Sequence, residues 1–97
     1  MAKGYWVTSY RKVFKPEQLA EYGKLATPAI VDGGGRFLIR GVAKVAHGAG
    51  LAERTVVIEF DSIEKAIACY ESDAYKVALA ALGDGVERDF RIVEGAD

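Results

Sequence analysis

The stretch that decides the fold is residues 36–60, which read RFLIRGVAKVAHGAGLAERTVVIEF. Two runs rich in β-branched and aromatic residues flank a reversal at Gly48-Ala49-Gly50, a pattern typical of a β-hairpin. With Arg40 opposite Glu59, one face of this hairpin is wholly apolar and carries Phe37, Ile39, Ala43, Val45, Val56, Ile58 and Phe60. We expect helices to cover that face, because it is wholly apolar. A slip of one residue would scramble both faces, so the pattern itself favours this register.

The opposite face of the hairpin is mixed, and it carries Leu38, Arg40, Val42, Thr55, Val57 and Glu59. It is too apolar for a solvated surface and too charged for a core. Such a face is typical of a subunit interface or of the wall of a cavity. The hairpin therefore predicts a homodimer.

Outward from the hairpin, the chain predicts strands at 5–13, 36–45, 55–60 and 88–93, with helices between them. Pro16 opens the first helix, and Pro28 predicts a kink or an early end within it. Asp61 is predicted to cap the second helix, and Ser72 a further helical segment over 73–82. The order is that of an α+β, ferredoxin-like βαββαβ fold, a four-stranded antiparallel sheet with both helices on one face.

Length and composition narrow the function classes. The 97 residues predict a single domain spanning 1–97, and half of them are hydrophobic. The net charge is −1 with the signs interleaved, so no nucleic-acid partner is expected. No apolar run approaches the ~20 residues that span a bilayer, so no membrane partner is expected either. With no signal-peptide core and a single cysteine, Cys69, we expect a cytoplasmic protein.

Arg40 and Glu59 are the candidate catalytic residues. An arginine can orient a carboxylate or an enolate, and a glutamate can serve as the base or orient the substrate. Arg36 lies four residues before Arg40 and is a candidate ligand-binding residue on the same face. The alternative is a cross-strand ion pair that satisfies two charges at the dimer interface, with no catalytic role.

Three tyrosines on the helices, Tyr22, Tyr70 and Tyr75, are the other candidate ligand-binding residues. Tyr22 and Tyr70 lie on the predicted buried stripes of their helices, and a buried tyrosine hydroxyl needs a hydrogen-bond partner, so each could point into a pocket. The alternative is plain aromatic packing. His47 and Cys69 are each the sole residue of their type, so no metal site is predicted, and no cofactor is expected.

Four segments together are similar to the family called domain of unknown function 1330, namely residues 34–41 (GGRFLIRG), 56–60 (VVIEF), 70–75 (YESDAY) and 92–95 (IVEG). The resemblance implies the dimeric α/β-barrel variant of the ferredoxin-like fold, in which two four-stranded sheets close into one barrel. It implies no reaction, although structural relatives include cofactor-independent monooxygenases and small-molecule isomerases. Gly83 stands where the family usually has an arginine.

Two functions remain open on the sequence. The first is a cofactor-independent enzyme that acts on a small carbonyl or enol compound in a pocket lined by arginine and tyrosine. The second is a non-catalytic ligand-binding or structural homodimer, in which the same polar residues only hold two subunits together. A second copy of the chain is the expected partner in both cases, and a small-molecule ligand is an open alternative.

Overall fold

The computed structural model describes residues 2–96. Its elements are β1 (Gly4–Val13), α1 (Pro16–Asp32), β2 (Arg36–Val42), β3 (Arg54–Phe60), α2 (Ile63–Tyr70), α3 (Asp73–Leu82) and β4 (Val86–Glu94). The strands form one antiparallel sheet in the order β2-β3-β1-β4. This arrangement confirms the predicted ferredoxin-like α+β fold, with the second helical region divided into α2 and α3. We call the sheet face beneath the helices the helix face and the other the open face.

The predicted register of the hairpin is wrong. Glu59 pairs with Arg36, and Arg40 pairs with Val56. The reason is that β2 ends at Val42, three residues earlier than expected, so that a longer loop joins the two strands. The chain therefore reverses over residues 43–53. As a result, Glu59 on β3 pairs with a residue nearer the start of β2 than predicted.

The predicted faces of β2 also change partway along the strand. Phe37 pairs with Ile58, but the next paired residue is Ile39, opposite Val57. Such a β-bulge adds one unpaired residue and reverses the alternation of side chains beyond it. Ile39 therefore lies on the open face and Arg40 on the helix face, the opposite of what the sequence pattern predicts.

The core lies between the helix face and the helices. Trp6, on the central strand β1, is 1% exposed, and its indole N–H donates to the carbonyl of Ala66 at 2.9 Å. Its ring contacts those of Phe60, Tyr70, Tyr75 and Phe90, with centroids 4.9–5.9 Å apart. Edge-on and tilted aromatic contacts of this kind stabilise a core beyond the area they bury. This aromatic cluster anchors α2 and α3 to the sheet.

The predicted early end of α1 at Pro28 is wrong, because the helix continues to Asp32, and the predicted kink stays a prediction. Proline removes one hydrogen bond of the helix, yet Ala29 and Ile30 beyond it are buried in the core. Packing of these residues in the core thus stabilises the helix beyond Pro28. No helix within residues 2–96 has the length and apolar character needed to cross a bilayer.

The cap of α2 is one residue later than predicted. Ser62, not Asp61, accepts the hydrogen bond from the Lys65 amide, at 3.2 Å. The Asp61 carboxylate is instead held by Arg36 at 3.0 Å, which places it beside the sheet rather than over the helix end. The predicted cap of α3 is confirmed, since Ser72 accepts from the Tyr75 amide.

Candidate functional site

A cavity of about 320 Å³ lies between α1 and the helix face of the sheet. It forms because α1 packs chiefly against α3 and leaves a gap above the strands. Most of its walls are apolar, and its polar and charged lining consists of Thr8, Tyr10, Tyr22, Thr27, Arg40, Arg54 and Arg88. A cavity of this size suits a ligand of about one ring or a short chain.

The strand registers explain why arginines reach this cavity. Tyr10 on β1 pairs with Arg88 on β4, and Thr8 pairs with both Phe90 on β4 and Val56 on β3. Each of these residues therefore points to the same side of the sheet as its partners. The bulge in β2 adds Arg40 to this side, beside Val56.

Arg88 lies among three tyrosine hydroxyls. One guanidinium nitrogen, Nη1, donates to Tyr10 Oη at 3.4 Å and Tyr22 Oη at 3.3 Å, and the other, Nη2, donates to Tyr75 Oη at 3.2 Å. The guanidinium also lies 5.0 Å from the centre of the Phe90 ring. Within residues 2–96 no carboxylate forms an ion pair with Arg88. Its charge is thus held by neutral oxygens and aromatic rings.

The charge states of this cluster follow from burial and from the neighbouring groups. Burial alone would lower the pKa of Arg88, but the phenols of Tyr22 and Tyr75 outweigh it and raise that pKa above its ordinary value. Burial raises the pKa of Tyr75 well above its ordinary value, with Tyr22 adding to the effect. The site therefore holds a permanent cation beside a phenol that stays neutral.

The hydroxyl protons can be assigned by counting acceptors. Tyr22 Oη and Tyr75 Oη lie 2.6 Å apart, so one donates to the other. Tyr75 is fully buried and does not line the cavity, so if Tyr22 were the donor, the Tyr75 proton would have no acceptor among residues 2–96. Leaving a buried donor unpaired costs about 1–3 kcal/mol. Tyr75 is therefore the donor, and the Tyr22 proton is left for the cavity, beside the Arg88 N–H groups.

The predicted site residues fall into separate groups. Tyr22 and Arg40 line the cavity, and Arg40 lies over the Phe37 ring, 4.2 Å from its centre. Tyr75 supports Arg88 and Tyr22 from behind. Tyr70 packs on the rings of the aromatic cluster and does not line the cavity.

Arg36 and Glu59 lie on the open face, away from the cavity. Arg36 Nε donates to Glu59 Oε1 at 3.1 Å, and Tyr5 Oη donates to Glu59 Oε2 at 3.1 Å. The hydrogen bond from Arg36 lowers the pKa of the Glu59 carboxyl. The predicted juxtaposition of Arg40 and Glu59 is wrong, because the bulge turns Arg40 to the other face and Arg36 takes its place.

Sequence reasoning missed Arg88, Tyr10 and Arg54 as cavity residues. A signal for Arg88 was present in the sequence. Val86, Arg88, Phe90 and Ile92 are every second residue of β4, so Arg88 lies on the otherwise apolar face of the strand. A charge on such a face indicates a functional or paired group. Starting the strand at Arg88 rather than Val86 concealed the pattern. Arg54 was missed because it precedes the predicted start of β3.

The comparison with protein families agrees with the geometry of the fold. The sequence profile described as Domain of unknown function (DUF1330) matches residues 3–96, nearly the whole chain. The chain belongs to this family. This match confirms the family that the sequence resemblance predicted for this DUF1330 protein. No match to it was found among curated proteins.

Solved structures share the fold of this DUF1330 protein at low sequence identity. RPA0582, a protein of unknown function from Rhodopseudomonas palustris, is 13% identical with a TM-score of 0.76, covering 99% of this chain and 84% of its own. A dimeric ferredoxin-like protein of unknown function from Thermobifida fusca is 17% identical with a TM-score of 0.62, covering 99% and 92%. SnoaB, a cofactor-independent oxygenase from Streptomyces nogalater, is 8% identical with a TM-score of 0.67, covering 100% and 96%.

Proposed function

We propose that this protein binds a small carbonyl or enol compound in the cavity beneath α1 and stabilises its enolate without a cofactor. The observation that carries the proposal is the Arg88 guanidinium, which is held in the cavity wall by tyrosine hydroxyls and has no carboxylate partner within residues 2–96. A cation without a counter-ion in a largely apolar cavity favours an anionic ligand.

The arrangement of donors suits an oxygen on which negative charge develops. Arg88 has guanidinium N–H groups beyond those used by the tyrosines, and Tyr22 has its hydroxyl proton free for the cavity. Preorganised donors around a developing oxyanion are a strong source of catalytic stabilisation. The apolar walls, among them Val56 and Ile58, would hold the carbon skeleton.

The fate of the proton limits the class of compound. Of the described residues that line the cavity, none is a carboxylate or a histidine. The proposal therefore concerns a compound acidic enough to ionise once Arg88 lowers its pKa, with the proton passing to water. Glu59 as a base stays a prediction, and this proposal does not use it, because its carboxylate lies on the open face. SnoaB, described as a cofactor-independent oxygenase, is consistent with such chemistry on this fold, but its likeness shows the fold alone.

The test uses 4-nitrophenol, a stable enol that is coloured only as its anion. We expect the protein to bind it and to lower its apparent pKa, so that colour develops at a lower pH than in buffer. In Arg88→Gln we expect affinity for the anion to fall at least about tenfold, the usual cost of losing a hydrogen bond to a charged group. Absorbance titrations across pH measure both quantities.

Arg91→Gln is the matched control. It makes the same substitution on the same strand, but Arg91 pairs with Val7 on the open face and binds Asp89. It should leave binding and the pKa of the probe unchanged. Arg88→Lys keeps the charge and should retain part of the affinity, which separates loss of the site from loss of the fold. Equal binding by the wild type and a folded Arg88→Gln variant would reject the proposal.

A second proposal, that two copies pair through their open faces, is favoured by a separate observation. Apolar Ile39 and Val93 are 52% and 45% exposed there, next to half-buried Val7 and Val57. The Thermobifida fusca neighbour is described as dimeric, which supports such pairing. The predicted eight-stranded barrel would follow from two sheets meeting in this way. If the pairing is found and binding occurs without turnover, the alternative of a non-catalytic ligand-binding homodimer is favoured.

A further inference from the structure

A second group of positive charges lies across the cavity from Arg88. Ser9 on β1 pairs with Thr55 on β3, so antiparallel pairing places Tyr10 beside Arg54. Tyr10 also pairs with Arg88 on its other side. Arg54 and Arg88 therefore stand in one row across the sheet, with a single strand between them. Two strand spacings separate their Cα atoms by about 10 Å.

Arg40 joins Arg54 at the same end of the cavity. It lies on the adjoining strand β2, opposite Val56, and both arginines line the cavity. Neither forms an ion pair within residues 2–96, and the Arg40 guanidinium lies over the Phe37 ring. By contrast, Arg36 and Arg91 on the open face each bind a carboxylate. Of the sheet arginines that form no ion pair within residues 2–96, Arg40, Arg54 and Arg88 line the cavity, whereas Arg11 on β1 does not.

Charge balance then says more about the ligand than Arg88 does alone. Three arginines, of which Arg40 is exposed, line a cavity that has no acidic residue in its described lining. A ligand with one negative charge at Arg88 would leave Arg40 and Arg54 without an anionic partner. A second anionic group about one ring away from the first would satisfy both ends, while the apolar centre contacts Val56 and Ile58.

We infer that the natural ligand carries a carboxylate at the end away from Arg88, and that Arg40 and Arg54 bind this group. The inference rests on the proposed function, because it takes the enol or carbonyl oxygen to lie at Arg88. A carboxylate matches the planar fork of a guanidinium, which binds both of its oxygens at once. The substrate class is therefore a small carbonyl or enol acid.

Two probes that differ only in this group provide the test. 4-Hydroxyphenylacetate and 4-methylphenol share the phenol, and only the first has a carboxylate. By isothermal titration calorimetry we expect 4-hydroxyphenylacetate to bind at least about tenfold more tightly. In the double variant Arg40→Gln/Arg54→Gln we expect that preference to disappear and the affinity for 4-methylphenol to stay unchanged. Arg91→Gln should keep the preference.

The outcomes separate this inference from the proposed function. If both probes bind equally to the wild type, or if the double variant keeps the full preference, the carboxylate site is rejected and the binding role of Arg88 stands. If neither probe binds at millimolar concentration, the proposed function fails and this inference fails with it. Circular dichroism of each variant confirms that the comparison is made between folded proteins.

Discussion

At the scale of single residues, the proposed site depends on Tyr75. Its hydroxyl donates to Tyr22 and accepts from Arg88, although it does not itself reach the cavity. It is a positioning residue, since it fixes the Tyr22 hydroxyl so that the Tyr22 proton is available to a ligand. A group that acts in this way is detected by a change in affinity that leaves the shape of the cavity unchanged.

Tyr75→Phe removes the hydroxyl and keeps the ring. Two hydrogen bonds inside the protein are lost, so we expect the free energy of unfolding to fall by about 1–2 kcal/mol and the affinity for 4-nitrophenolate to fall severalfold. Urea denaturation and absorbance titration measure the two effects. Tyr70→Phe changes the same group on a tyrosine with no hydroxyl partner within residues 2–96, and it should alter neither. Equal effects in the two variants would contradict the positioning role.

The raised pKa of Tyr75 also predicts how stability varies with pH. The unfolded chain ionises its tyrosines near pH 10, whereas folded Tyr75 keeps its proton to a higher pH. The unfolded state therefore binds fewer protons above that pH, and stability falls as the pH rises. At one pH unit above the tyrosine pKa of the unfolded chain, Tyr75 should lower the free energy of unfolding by about 1.4 kcal/mol. Urea denaturation at neutral and alkaline pH should show that Tyr75→Phe loses less stability with rising pH than the wild type does. If stability falls equally with pH in both proteins, the raised pKa of Tyr75 is contradicted.

Part of this residue-level picture could be read from the sequence. The need of a buried tyrosine hydroxyl for a partner holds for Tyr22, but Tyr70, predicted on the same grounds, only packs on aromatic rings within residues 2–96. Arg88, the common partner of Tyr22 and Tyr75, comes from β4, which is distant in sequence, and no local pattern specifies such a contact. The unpaired state of Arg88 depends on every side chain around it, so only the three-dimensional structure reveals it.

At the scale of elements, one extra residue in β2 decides what the cavity contains. The bulge between Phe37 and Ile39 sends Arg40 to the helix face. Leu38 and Ile39 are both apolar, so the pattern fits either alternation and does not reveal where the bulge lies. The existence of the strands follows from their composition, whereas the register depends on loop length and on pairing that the sequence leaves open.

Pro28 in α1 gives a prediction at this scale. The helix runs through it to Asp32, so one backbone hydrogen bond is missing while the packing of Ile30 is retained. In Pro28→Ala we expect the free energy of unfolding to rise by about 1–2 kcal/mol, since a proline inside a helix costs roughly 3 kcal/mol and the greater freedom of the unfolded chain offsets part of the gain. Urea denaturation measures the change. A less stable variant would show that Pro28 sets a bend that the packing of α1 requires.

At the scale of the whole molecule, the element order alone was enough to predict the fold. The right-handed crossover rule allows few arrangements of strands and helices in this order. The errors in hairpin register and helix capping therefore did not change the predicted topology. The helices of a single chain leave the open face of the sheet uncovered. It exposes Ile39 and Val93 and holds the ion pair between Arg36 and Glu59.

Pairing through the open face predicts a particle of twice the chain mass of 10.5 kDa in sedimentation equilibrium at micromolar concentration. Ile39→Lys would place a charge in that interface and should shift the protein to single subunits. Val77→Lys is the matched control, because Val77 is 57% exposed on α3 and Ile39 is 52% exposed on the sheet. A wild type that sediments as one subunit would contradict the dimer and leave the cavity unaffected.

The cavity is a property of the single fold, and a crystal structure of the protein grown with 4-nitrophenol tests it most directly. We predict density for the ring between α1 and the sheet, with the phenolate oxygen within hydrogen-bond distance of Arg88 and Tyr22. A cavity filled by repacked side chains, or a probe bound only elsewhere on the molecule, would contradict the assignment of this site.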